Sequence, residues 1–228
     1  MKKYFISVAL VLSSGAFIMS TTQSCLAVAT SGVGISIIKN VLLGGISKAV
    51  GIFSSKDAFL NNDLIDQALP SQLRDLNKIL AKVSPSLLAK EKDFIAEAAA
   101  YTVNTSAPIL KNAVNSLNAD DVTRIMQGEK GMATQVLKEK TYSQLVAAIK
   151  PKVDEKLNQF GIVGSINTAL QGSDLLGSLF GNSSSSNLGN GGLSMLASEQ
   201  LVNGLFKIVE KHEIDNHDSI YKMIPGAK

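Results

Sequence analysis

The sequence predicts an all-α protein, a compact domain of about eight to ten short helices with a flexible Ser/Asn/Gly loop before the last one. Three observations carry that expectation. Apolar residues recur at three- and four-residue spacing along most of the chain, which keeps them on one helix face. Helix-starting and helix-stopping residues stand at the ends of those stretches. No stretch alternates apolar and polar residues up to a two-residue turn, so hairpins are not expected.

The chain opens with Met1-Lys2-Lys3, a short basic region, followed by an uncharged run from Tyr4 to Met19 with Phe5 to Leu12 strongly apolar. Ser20-Thr21-Thr22-Gln23-Ser24 then turns polar, the three-part form of a secretory signal. The apolar run is shorter than the ~20 residues of a membrane-spanning helix. Residues 1–24 are therefore expected to be a signal peptide and the protein to be exported. Gln23-Ser24-Cys25 resembles a bacterial lipobox, which makes Cys25 the expected lipidation site and 25–32 a tether. Thr22 departs from that pattern, and Ala27-Val28-Ala29 offers ordinary cleavage before Thr30, which would release a soluble protein.

The helical body is expected over 33–180. Val33–Phe53 is apolar and Gly-rich, with only Lys39 and Lys48 charged. Nine residues apart, those lysines point to opposite sides of a helix, so a buried packing helix suits the segment better than a membrane-surface one. Leu87, Glu91, Phe94, Ile95, Ala98 and Thr102 mark a second face, and Leu145, Ile149, Val153 and Leu157 a third. Asn118 is a good N-cap for a short helix closed by Gly128, with Asp120 and Asp121 in its first turn. Thr141-Tyr142-Ser143-Gln144 has the form of a capping box. Pro70, Pro85 and Pro108 suit first turns, and Pro151 should kink or restart the helix around it. Residues 181–192 are a low-complexity loop. Leu175, Leu176, Leu179 and Phe180 before it are expected to dock as a short helix. A C-terminal segment, 193–228, carries Leu201, Leu205, Val209 and Glu213 on one face and is expected to fold back on the body.

Composition narrows the function classes. The 228 residues carry a formal charge of +3, near +1 once Lys2 and Lys3 leave with the signal, and so no electrostatic footprint for nucleic acid. One Cys excludes a disulfide framework and a Cys-based zinc site. His212 and His217 are five residues apart, about 140° around a helix, so they do not share a face as zinc-protease histidines do. No nucleophile elbow or phosphate-cradling loop is present. No cofactor, metal or catalytic residue is expected.

Two stretches pair charge with apolar or aromatic residues near loops. Lys56, Asp57 and Phe59 form one, and Thr134, Lys140 and Thr141 the other, together a candidate binding surface. The competing reading, which the residue types favour, has Phe59 plugging the core and Thr141 serving as a cap.

A set of segments resembles a bacterial envelope family, the domain of unknown function 4197. They are Ile46 to Gly51 with Lys56 to Asn62, Ala68-Leu69-Pro70, Ala107 to Leu110, Asp120-Asp121-Val122, Ala133-Thr134, Lys140 to Leu145, and Leu205-Phe206 with Val209 to Glu213. The chain departs from it at Ala58, where Gly is usual, in the 181–192 insertion, and in lacking a second basic residue before Lys140. The resemblance implies an exported all-α protein, often with a Gln-Ser-Cys lipobox, and brings no activity, substrate or cofactor. The expected function is a lipid-anchored, periplasm-facing module that binds another envelope protein or component. The alternatives are an enzyme using Asp57, Asp121, Arg124 or Lys140 in a helical groove, and a membrane-perturbing protein acting through Val33–Phe53.

Overall fold

A computed structural model describes residues 32–170 and 190–223. Among the described residues the chain forms nine helices and no strand. In chain order they are α1 Gly32–Phe53, α2 Lys56–Leu60, α3 Asp63–Gln67, α4 Ser71–Val83, α5 Pro85–Asn115, α6 Ala119–Gln127, α7 Met132–Gln159, α8 Ile162–Leu170 and α9 Asn190–Met223. The all-α class with eight to ten helices holds, although α1, α5, α7 and α9 are long, at 22, 31, 28 and 34 residues.

The four long helices make a ring. α1 packs on α9 and α5, α7 packs on the same two, and the diagonal pairs touch little. Each faces the centre with the apolar stripe its sequence periodicity supplies: Ile38, Leu42, Ile46 and Phe53 from α1, and Leu145, Ile149, Val153 and Leu157 from α7. α9 is buried on more than one side, since Leu201, Val202, Leu205, Phe206, Ile208 and Val209 are all in the core. A helix apolar around most of its circumference has to sit between neighbours rather than on a surface. Gly45 lets α1 and α9 approach closely, because a Cβ there would lie 3.1–3.3 Å from the Val209 side chain and backbone. By length and composition α1 could also span a membrane, but its buried face here is filled by α5 and α9.

The short helices close the ends. The Ser55 hydroxyl accepts from the Ala58 N–H and starts α2, and the Asn62 side chain does the same for α3 through Leu64 N–H. Asn118 and Asp121 form the expected cap of α6 in reciprocal fashion. The Asp121 N–H donates to the Asn118 side chain at 2.9 Å, and the Asn118 N–H donates to the Asp121 carboxylate at 3.0 Å.

Several local expectations are corrected. Thr141 starts no helix: it lies in the middle of α7, buried, with its hydroxyl donating to the Leu137 carbonyl at 2.7 Å. Leu137 and Leu145 flank it on the same buried face, and that apolar continuity overrides the cap-like spelling. Pro108 lies inside α5 rather than in a first turn, and α7 runs on through Pro151 without restarting there. Packing on both sides holds each long helix together past its missing N–H. Pro70 is the N-cap residue of α4 rather than a first-turn residue, and Pro85 opens α5 as expected. Asn190 to Gly192 belong to α9 rather than to the loop. Cys25, the segment 181–189, and Leu175, Leu176, Leu179 and Phe180 lie outside the described residues.

Candidate functional site

α7 begins with a handicap. Its N-cap residue, Gly131, adopts a left-handed conformation at φ 96° and has no side chain to accept from the first-turn N–H groups. Glu213, some eighty residues further on in α9, does the capping instead. Its carboxylate accepts from Ala133 N–H at 2.9 Å, from Thr134 N–H at 2.7 Å and from the Thr134 hydroxyl at 2.6 Å. A carboxylate at a helix N-terminus also meets the positive end of the macrodipole. The start of α7 and the last third of α9 are thereby fixed to each other.

Beside this junction a cleft of about 510 Å³ opens between the first turns of α7, the 129–131 turn, α9 and the end of α3. Thr134, Gln135 and Lys138 line it from α7, and Asn203, Phe206 and Lys207 from α9. Lys138 is partly buried in the cleft wall. Its Nζ donates to the Asn203 side-chain oxygen at 3.0 Å and stands 5.3 Å from the centre of the Tyr142 ring and 5.9 Å from that of Phe206. Asn203 also hydrogen-bonds the Tyr142 hydroxyl. Burial pulls the Lys138 ammonium below the ordinary lysine range, neighbouring Lys207 pulls the same way, and Glu210 opposes both. The other lysines of the cleft are paired, Lys207 with Glu210 at 2.8 Å and Lys130 with Asp218 at 3.0 Å. Lys138 makes no ion pair among the described residues, and amide and aromatic groups hold it in place.

The residues singled out in the sequence scatter. Phe59 is 3% exposed and packs edge-on against Phe53 at 5.1 Å, so it belongs to the core and not to a binding surface. Thr141 is buried within α7, which removes it from the surface as well. Lys56 pairs with Asp93 at 3.2 Å across α2 and α5, and Asp57 is exposed in α2. Lys140 pairs with Asp121 at 2.9 Å, next to the two-pronged contact of Arg124 with Glu139 at 2.5 and 2.8 Å. Burial raises the Asp121 carboxyl, but the Asn118 N–H and the Lys140 ammonium outweigh it and hold the group below the usual carboxylate range. Asp121, Arg124 and Lys140 thus form a surface ion-pair network on α6 and α7, and neither they nor Asp57 line the cleft.

Thr134 alone among the named candidates lines the cleft. From the sequence, Lys138 belongs to a basic cluster with Glu139 and Lys140 that reads as a solvated face, Glu213 is placed on the apolar face of the last helix without a role, and Asn203 is passed over. An acid on the apolar beat of α9, four residues past Val209, was the available signal for the role of Glu213. Among the described residues no cluster of His, Cys, Asp and Glu is arranged to hold a metal ion.

The model of a family described as a protein of unknown function (DUF4197) matches residues 30–217. No curated protein and no solved structure matches.

Proposed function

We propose that this chain, which belongs to the DUF4197 family, is an exported binding module, tethered to a membrane by lipid at Cys25 and holding an acidic segment of an envelope partner in the α7/α9 cleft. Lys138 carries the reading: a cation without an ion-pair partner among the described residues, braced by Asn203, Tyr142 and Phe206 on the wall of an open cleft. A carboxylate entering there would exchange little water, because burial has already removed part of the lysine's hydration. Phe206 and the aliphatic lysine stems supply apolar contact beside the charge.

The test is a crosslinked affinity pull-down of the tagged protein from native envelopes, comparing wild type with Lys138→Gln. The wild type should recover a partner near stoichiometrically, and the variant should lose at least about tenfold of that recovery, the order expected for one desolvated charge pair. Equal recovery by both removes the cleft from the interaction, and recovery of the bait alone removes the partner.

Export and anchoring are tested by fractionation. Cys25→Ser should move the protein from the membrane to the soluble envelope fraction. A soluble wild type favours cleavage after Ala29, and a variant that stays with the membrane ends the lipid-anchor reading.

A further inference from the structure

We infer, resting on the cleft reading above, that Glu210 is the cleft's own competitor: a carboxylate between Lys207 and the 129–131 turn that a partner's acid must displace in order to bind. Asn203, Phe206, Lys207 and Glu210 follow each other at three- and four-residue spacing, so one face of α9 supplies a whole wall of the cleft. Glu210 stands at the end of that wall and reaches off it. One carboxylate oxygen, Oε2, accepts from the Lys207 ammonium at 2.8 Å. The other, Oε1, lies along the turn, 3.5 Å from the position a Cβ on Gly131 would take. The side chain therefore links α9 to the turn at the mouth of the cleft.

Charge shows what it competes for. Lys130, Lys138 and Lys207 line the cleft, with Glu129 and Glu210 beside them and Asp218 held on Lys130 at 3.0 Å. Three cations and three carboxylates leave no net charge, so an acid that enters without displacing one of the three is opposed. Asp218 is committed to Lys130, and Glu129 belongs to the exposed turn. Glu210 is the carboxylate whose attraction holds the Lys138 ammonium up against burial and Lys207. Once it turns away, Lys138 and Lys207 both lie open to one incoming carboxylate.

The exchange costs little. An exposed ion pair three residues apart on a helix contributes weakly, and the Glu210 side chain is already 37% exposed, so it can turn into water while α9 stays formed. The same charge gives selectivity. A bare anion meets the internal acid on equal terms, whereas a partner that also packs on Phe206 outcompetes it.

The experiment adds Glu210→Gln to the envelope pull-down and follows, on the purified chain, the rate at which acetic anhydride labels Lys138. Glutamine keeps the shape, removes the charge and occupies a partly exposed position, so the variant should melt with wild type. Capture should rise about fivefold, by an amount that shrinks at high salt and vanishes when Lys138→Gln is added. Labelling of Lys138 should quicken in Glu210→Gln, because the ammonium loses the attraction that keeps it protonated. Capture that is unchanged or lower in Glu210→Gln, with Lys138→Gln still deficient, overturns the competitor and leaves the cleft reading standing. Equal recovery by wild type and Lys138→Gln overturns the cleft reading and the competitor with it, as does bait alone from every form. Unchanged Lys138 labelling overturns the competitor without reference to any partner.

Discussion

Glu213→Ala is expected to lower the stability of the fold by about 3 kcal/mol, more than an ordinary cap deletion, which is worth about 1. The difference lies in burial and in number. An exposed helix start loses its cap to water, which takes over the N–H groups. Here the Ala133 and Thr134 N–H groups and the Thr134 hydroxyl all donate to one buried carboxylate, and Gly131 offers no side chain in its place. Removing the acceptor leaves buried donors without partners, each a loss of about 1–3 kcal/mol before relaxation. Urea unfolding measures the total, and amide exchange at Ala133 and Thr134 should quicken most. Thr134→Val removes one donor and should lose about 1 kcal/mol, and the double variant should lose less than the sum because both act on one network. A loss below about 1 kcal/mol for Glu213→Ala would mean that the first turn of α7 finds another acceptor. The junction also fixes one end of the cleft, so the same variant should weaken partner capture even where the protein remains folded.

Faces defined by spacing were legible in the sequence, and chemistry defined by tertiary partners was not. Leu145, Ile149, Val153 and Leu157 announced their shared face through a period that any helix must obey, and all four are buried. Asn118 and Asp121 were readable because a cap is a local contract between residues three apart. Thr141 offered the same spelling with Gln144 and meant something else. Nothing within four residues tells a hydroxyl that caps from one that bonds the Leu137 carbonyl in a continuing helix. Pro108 misled for a related reason, since local rules cannot weigh the packing that carries a helix through a proline, and the same packing keeps α7 continuous through Pro151. Glu91 and Glu213 were both placed on the correct faces. Their surroundings depend on α4, α7 and α9 meeting, contacts that span tens of residues and leave no local trace. The cleft shares that origin: Lys138 and Asn203 are 65 positions apart and adjacent only because α7 and α9 are.

Phe59→Ala carries the other large effect, an expected loss of about 3–5 kcal/mol. α2 is five residues long and Phe59 is its one fully buried side chain, with Leu60 partly buried and an exposed Lys56–Asp93 ion pair as its lesser ties to the body. The ring sits edge-on to Phe53, a geometry worth about 0.5–1.5 kcal/mol beyond the area it buries. Asp57, two residues earlier, is exposed, and Asp57→Ala should stay within about 0.5 kcal/mol of wild type. The contrast separates two roles that the sequence left open for the same short segment. If Phe59 served a partner, its removal would spare the melting temperature and abolish capture. As a core residue it should do the reverse in whatever fraction stays folded. Phe59 also walls a small chamber beside the buried Glu91 carboxyl, which burial raises from 4.5 to about 7. Truncating it admits water to that carboxyl, which should bring the raised Glu91 pKa back toward the ordinary carboxylate range. Phe59→Leu refills most of the space and should recover the larger part of the stability. A Phe59→Ala protein that melts with wild type would place the ring outside the core.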